Sequence, residues 1–557
     1  MTFDLRITNG TIVDGTGAPR YIGDIAVKDG LLAAVGKADG DAAQTIDASG
    51  RVVAPGFVDI HTHYDAQIVW DPSLSISPWH GVTSVVMGNC GFSIAPTKPH
   101  QRDLILRTLE HVEGMSLEAL RTGVGDDFPL HSFSDYLDAI EARGTLINVG
   151  FYVGHTPVRL YVMGEEAVKR EATKDEIGQM CRIVREAREA GAMGFTTSLS
   201  RTQHAYDGHP IPSRLSTFAE IDALFGALAE GGGGSSQASI GTLEWLGEFA
   251  EIAKRHSITF SWTALLSDIA GPGSHRPLIA QAHQLQADDY PVFPQTSPLA
   301  QEFEFTFGYP LPWERCDWIK PLLKANADEQ RALWRDANFV KSFREEKLSG
   351  FSASLNDWER RTVIAHAPHD ESLNERNLFE VANERGVDAF DLAVQLSVES
   401  DLGTRFRLPV LNFREDEIAE ILREPVGVIA FSDAGAHASQ LCNVHYTTHL
   451  LEHWVRDTGT LTLEQGVHAL TGRPAEVVGL NDRGRLAKGL AADIVIFDAD
   501  TIKATPLRRV YDLPAGADRM ICEAPGLETV IVNGAVIRHG GKDVAGDVLP
   551  GQMLRRH

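Results

Sequence analysis

The residues with chemistry to offer gather at the ends of short apolar runs. The sharpest group is Asp59-Ile-His61-Thr-His63-Tyr-Asp65, directly after Val52-Val-Ala-Pro-Gly-Phe-Val. Side chains alternate along a strand, so His61 and His63 share a face and both imidazoles can reach one metal ion. A His-x-His pair alone also arises by chance on surfaces. Its place after Pro55-Gly-Phe-Val-Asp, at the C-terminal end of a strand where barrel active sites form, is what gives it weight.

Two further run ends repeat the pattern. Val85-Val-Met-Gly-Asn89-Cys90-Gly-Phe puts a thiol where the chain leaves a sheet. A thiolate beside a divalent cation is one reading, because the cation lowers the thiol pKa; a small buried hydrophobe is the other. Val426-Gly-Val-Ile-Ala-Phe-Ser432-Asp433-Ala-Gly-Ala-His437 puts an acid just past a buried run. Burying that acid is costly unless it is paired, hydrogen-bonded or bound to metal. An Asp that touches a metal and takes a proton from its water is the general base of a hydrolase. A helix N-cap is the alternative, and Ser432 would serve there as well as Asp433.

Other histidines are weaker candidates, since imidazole is also a generic hydrogen-bonding group. His155, ending Val149-Gly-Phe-Tyr-Val-Gly, and His437, four residues after Asp433, rank first as ligands or substrate contacts. His366 and His369 follow the strand-like Thr362-Val-Ile-Ala. Arg201, His204 and His209, in the polar loop from Ser200 to Pro210, read as a substrate loop.

The elements that must position these groups are legible in outline. Val82-Thr-Ser-Val-Val-Met, Leu146-Ile-Asn-Val-Gly-Phe-Tyr-Val and Val426-Gly-Val-Ile-Ala-Phe are short and β-branched, as strands buried on both faces are. Between such runs lie amphipathic stretches such as 174–190, with Ile177, Met180, Cys181, Val184 and Ala187 at helical spacing. The alternation is that of an α/β protein, either a (β/α)₈ barrel with insertions or a doubly wound sheet. Residues 310–361, rich in Trp, Lys and Glu, are expected to be a helical insertion. Gly231 to Gly234 lacks a following Gly-Lys-Ser/Thr, so it reads as a turn into a strand and not a phosphate cradle.

Residues 1–55 instead look like strands cut by turns at Asn9-Gly10, Gly15 and Asp29-Gly30. The tail repeats that texture, with Ala492-Asp-Ile-Val-Ile-Phe-Asp and Glu528-Thr-Val-Ile-Val before Asn533-Gly534. The expected organisation is a small β-sandwich from both ends, 1–55 and 481–557, around a barrel over 56–480.

Composition narrows the function classes. The chain has 557 residues and a formal net charge of −25, which disfavours nucleic acid and anionic membranes as partners. No run approaches the roughly 18 apolar residues of a membrane span. The five cysteines are odd in number and none stands in a C-x-x-C pair, which fits a reducing compartment. With no secretory leader at the start, a cytoplasmic protein is expected. Oligomeric state is not encoded legibly, and a homo-oligomer is compatible with the sequence.

Several of these motifs carry a family resemblance. Pro55-Gly-Phe-Val-Asp-Ile-His-Thr-His, Gly88-Asn-Cys-Gly-Phe, Gly154-His155 with Val162-Met-Gly164, Met193-Gly-Phe-Thr-Thr, Phe431-Ser-Asp and the closing Gly484-Arg-Leu-Ala-Lys-Gly-Leu-Ala-Ala-Asp-Ile-Val-Ile-Phe-Asp resemble the amidohydrolase superfamily, in its D-aminoacylase (N-acyl-D-amino-acid deacylase) branch. The resemblance spans nearly the whole chain. It implies a metal-bearing (β/α)₈ barrel beside a small β-sandwich. It also implies that His61, His63 and Asp433 hold one metal, that Cys90 is a ligand able to bridge to a second, and that Asp433 acts as base.

The expected activity is hydrolysis of an amide bond in a small N-acyl amino acid. An acyl thioester or lactone hydrolase and a non-catalytic binding barrel are the alternatives. The expected cofactor is one or two divalent ions: imidazole and carboxylate suit zinc, iron and manganese alike, and a thiolate favours zinc.

The sequence departs from the family at one place. Two later strand ends supply one histidine each for the deacylases' tighter metal site. The corresponding stretches, Gly231 to Ser239 and Ile258 to Leu266, contain none. The family's lysine beside the second histidine and arginine after the acid, which hold a substrate carboxylate, have no evident counterparts.

Overall fold

The computed structural model describes residues 2–555 apart from 202, 206–207, 242, 314–315, 347 and 349–354. Eight parallel strands form its centre: β1 (Phe57–Thr62), β2 (Val82–Met87), β3 (Asn148–Gly154), β4 (Gly194–Ser198), β5 (Ser235–Ser239), β6 (Thr259–Thr263), β7 (Val292–Thr296) and β8 (Val428–Ile429). They neighbour one another in chain order. The circuit closes where the chain just past β8 meets the end of β1: Thr62 bridges Ala434 in parallel, and His63 N–H donates to Ala434 C=O at 2.7 Å. This is the α/β barrel architecture. Strands β1 to β5 are buried along their whole length, which is why they read as continuous apolar or small-residue runs.

The helices that cover the barrel follow the expected spacing. Lys174–Glu189 starts at a capping box, in which Thr173 accepts from Glu176 N–H and Glu176 reaches back to Thr173 N–H. Its Met180, Val184 and Ala187 are buried, and it packs against the helix Phe218–Glu230. The glycine run after that second helix turns the chain into β5. Gly234 has φ +143, and a Cβ there would stand 2.4 Å from Met193 O, so no other residue fits.

The two chain ends share one nine-stranded sheet. Val52–Pro55 runs antiparallel to Ile494–Phe497, with Val53 opposite Ile496, and Leu527–Val532 continues the sheet beyond it. Leu5, Ile7, Ile25, Val53, Ile494, Ile496 and Ile531 form its core. Asp29-Gly30 and Asn533-Gly534 make the expected tight turns, all four residues at positive φ. Asn9-Gly10 does not. The strand Phe3–Ile12 runs through it, and the positive φ of Asn9 is used for a bulge between Ile7 and Gly10.

Between β7 and β8 the chain leaves the barrel. The helices of the 310–361 stretch pack with strands from either side of it: Gln301–Thr306, Val363–His366, Arg376–Asn377 and Arg405–Leu411 form an antiparallel four-stranded sheet. This unit has its own aromatic core, including Phe305, Phe307, Trp313, Trp334, Phe343 and Trp358. His366 and His369 lie exposed at this sheet, which is not the barrel sheet. Among the described residues, no helix is long and apolar enough to cross a membrane.

Candidate metal centre

Three strand ends converge on one group of donor atoms. His61, on β1, is fixed from behind: its Nδ1 lies 2.6 Å from Gln295 Oε1 on β7, and Gln295 Nε2 donates to Ser261 Oγ on β6 at 3.0 Å. The second bond orients the amide, so Oε1 accepts from Nδ1–H and the His61 Nε2 lone pair points away from Gln295. That nitrogen lies 3.3 Å from Cys90 Sγ and 3.3 Å from Asp433 Oδ1, while His63 Nε2 is 3.6 Å from the same Asp433 oxygen. The donor atoms of His61, His63 and Cys90 all lie within 4.8 Å of one another.

Four electron-rich atoms this close in a buried place repel unless protons or a cation sit among them. With protons alone, the group must be ion-paired. Burial would lower the His61 ring pKa, but the Cys90 thiolate and Asp433 outweigh it and hold it above its usual value. Burial would raise Cys90, yet His61 and His63 bring it down to about 6, and the same two rings hold Asp433 below the usual carboxylate range against burial. Two imidazoles, a thiolate and a carboxylate are the donor set of a tetrahedral zinc-type site, so the residues fit a metal.

The backbone around the group is in a costly conformation. Cys90 (φ +55), Phe431 (φ +80), Asp433 (φ +49) and His437 (φ +49) are all left-handed without being glycine. Strain of this kind persists where the surroundings over-determine it, commonly at functional sites. Gly435 is required, since a Cβ there would lie 2.5 Å from His63 O. Asp433 is followed by a turn, with Ala436 N–H on Asp433 C=O, and the next helix begins only at Tyr446. The helix-cap alternative for Ser432 and Asp433 therefore falls.

The remaining sequence candidates separate. His437 is half-buried next to the group, and desolvation lowers its pKa. Arg201 is exposed, with its guanidinium 5.9 Å from the Trp245 ring centre. His204 pairs with Pro210, and Ala205 N–H donates to His209 C=O, so the polar loop folds on itself at the end of β4.

His155 is committed elsewhere. Its Nδ1 meets Thr197 Oγ1 at 2.8 Å and its Nε2 meets Glu220 Oε1 at 2.9 Å, while Arg159 Nη1 binds Glu220 Oε2 at 2.6 Å. With both ring nitrogens engaged, it is not a free ligand. This closed ionic network joins three barrel segments. Replacing Glu220 with Gln leaves Arg159 buried without its counter-charge, so Glu220→Gln should cost about 2–3 kcal/mol in urea unfolding with metal content unchanged.

Sequence reasoning missed the supporting polar residues. Asp59 is fully buried, accepts His61 N–H at 3.2 Å and is pushed up to about 7 by burial. Asp65 accepts Gly88 N–H at 3.0 Å and is likewise pushed up to about 7 by burial. The signal was two carboxylates in an otherwise apolar stretch. At the strand ends without histidine, β5 presents Gln237 and β6 presents Thr263. Gln237 Oε1 accepts Cys90 N–H at 2.7 Å, and Gln237 Nε2 donates to Thr263 Oγ1 at 3.3 Å. These side chains support the Cys90 turn and bond to each other.

Comparison with known proteins gives the family. The profile described as "Amidohydrolase family" matches residues 44–538. The chain belongs to the amidohydrolase family. It has relatives along nearly its whole length. N-acyl-D-glutamate deacylase of Alcaligenes xylosoxydans xylosoxydans is 29% identical over 99% of this chain and 96% of its own. Two solved structures superpose over the whole of both chains at 26% identity. One is N-acyl-D-glutamate deacylase from Bordetella bronchiseptica with zinc and a phosphonate mimic of the tetrahedral intermediate (TM-score 0.66). The other is a D-aminoacylase whose binuclear centre is described by one-metal activation and second-metal attenuation (TM-score 0.67).

Proposed function

We propose that this amidohydrolase cleaves the amide bond of an N-acylated amino acid by water attack, with His61, His63, Cys90 and Asp433 holding one zinc ion. The observation that carries the reading is the convergence of those four donor atoms at one barrel mouth. The relatives named for deacylation support the substrate class. A cation held there would supply Lewis acidity, lowering the pKa of water and polarising the acyl carbonyl.

The chain's own residues supply the proton handling. Asp433 is ionised and is the most open of the four, so it can accept the proton of the attacking water and return it to the leaving amine. Gln295 keeps His61 in the tautomer whose Nε2 faces the group. A single ion is the count that β5 and β6 favour, since their ends carry no histidine and Gln237 and Thr263 there bond to each other. The small-molecule substrate and five free cysteines are consistent with a cytoplasmic enzyme.

A second reading, hydrolysis of an acyl thioester or lactone, is favoured by one feature of the sequence: the lysine and arginine that the resemblance would lead one to expect on a substrate carboxylate have no evident counterparts. A hydrolysis screen across N-acyl-D-amino acids, N-acyl-L-amino acids, acyl thioesters and lactones, with metal measured on the same sample, decides. The expected result is turnover of N-acyl amino acids with about one zinc per chain. Turnover confined to thioesters or lactones would move the assignment to the second reading, and protein without metal or activity would remove both.

A further inference from the structure

A second cluster of soft donors lies outside the strand-end group and shares no residue with it. Cys442-Asn-Val-His445 is a Cys-x-x-His step just before the helix Tyr446–His449, and Cys522 arrives from the end of the strand Arg519–Ile521. Their donor atoms lie within 4.8 Å of one another. We propose that Cys442, His445 and Cys522 form a second cation site, selective for a thiophilic divalent ion such as zinc, that clamps the segment after β8 to the C-terminal part of the chain.

Two thiols and an imidazole match the protein ligands of a four-coordinate zinc site with one position left to water or another donor. Simple burial of small apolar thiols is the competing reading, and the histidine argues against it. His445 Nδ1 is buried and makes no hydrogen bond, so its lone pair is available to a cation. The Cys522 thiol beside it holds the Cys442 pKa below the usual thiol range against its own burial.

The surroundings provide support and access. His80 Nε2 lies 3.5 Å from Cys522 Sγ and 3.2 Å from Cys522 C=O, and its Nδ1 lies 2.9 Å from Thr448 Oγ1. Thr448 Oγ1 in turn donates to His445 C=O at 3.0 Å, so His80 ties the two ligand-bearing segments together. Cys442 and His445 line a cavity of about 260 Å³ between the inserted unit and the barrel, with Glu302 and His449 on its wall. That cavity opens onto Cys442 and His445.

Cobalt(II) added to metal-stripped Cys90→Ser protein tests the site, because this variant has lost the only thiolate of the strand-end group. A thiolate-to-cobalt charge-transfer band is expected, persisting in Cys181→Ser and Cys316→Ser backgrounds and lost with one metal equivalent on Cys442→Ser or Cys522→Ser. The wild-type protein provides a check free of folding effects: X-ray absorption of the cobalt-loaded form should count three sulfurs shared over two ions. Cobalt bound with no thiolate band in the Cys90→Ser protein, or one sulfur per cobalt in the wild type, overturns the proposal. So does recovery of Cys442 and Cys522 as a disulfide from protein purified without reductant.

Discussion

Asp433→Asn should lower kcat for amide hydrolysis by about 10²- to 10⁴-fold, the usual worth of a positioned general base. The substitution preserves size, and Asn is among the few residues that tolerate the left-handed φ of +49 this position adopts. His61, His63 and Cys90 remain as donors, so the variant should retain its metal when assayed with zinc in excess. KM should move little, because the carboxylate acts on water and not on the binding of the acyl group. Steady-state kinetics with metal analysis on the same protein checks this. A variant within about tenfold of wild type would show that another group accepts the proton.

The parts of this site legible in the sequence were those carried by local order. His61 and His63 alternate within one strand, Cys90 and Asp433 each follow an apolar run, and strand geometry turns such spacing into direction. The residues that tune the group were not legible. Gln295 stands 234 positions from the ring it orients, and a glutamine inside an apolar run has no signature of its own. His155 looked like a mouth residue because it ends a strand, yet Glu220, 65 positions on, engages its Nε2. The fold shows the same division. Asp29-Gly30 and Asn533-Gly534 fixed their turns locally, whereas Asn9-Gly10 offered the same positive φ and the partner strand made it a bulge. The inserted unit was visible as helices because amphipathic periodicity is local. Its sheet pairs strands about 100 positions apart, such as Phe305 with Phe406, and no local pattern specifies that pairing.

His61→Ala should abolish both metal retention and hydrolysis, and graded variants should separate the ligands from their supports. His61 is the donor at the centre of the group, touching Cys90 and Asp433 at once, so its loss removes one ligand and the contact that keeps Cys90 ionised. Gln295→Leu leaves all four donors but frees the ring, and should weaken metal affinity by about 10- to 100-fold, as loss of an orienting partner does. The pH dependence has a defined sign. In the metal-free protein, His61 is held above its usual value, so it keeps its proton to higher pH, and the Cys90 thiol titrates at about 6. A cation must displace those protons, so affinity should rise with pH through this range and fall steeply below about 6. Zinc titrations of stripped protein between pH 5 and pH 8, for wild type, Gln295→Leu and His61→Ala, measure all three effects. Zinc bound by His61→Ala as tightly as by wild type would exclude this group as the metal site. Affinity independent of pH would show that the donors are not protonated in the free protein, and that their ion pairing is not what the metal replaces.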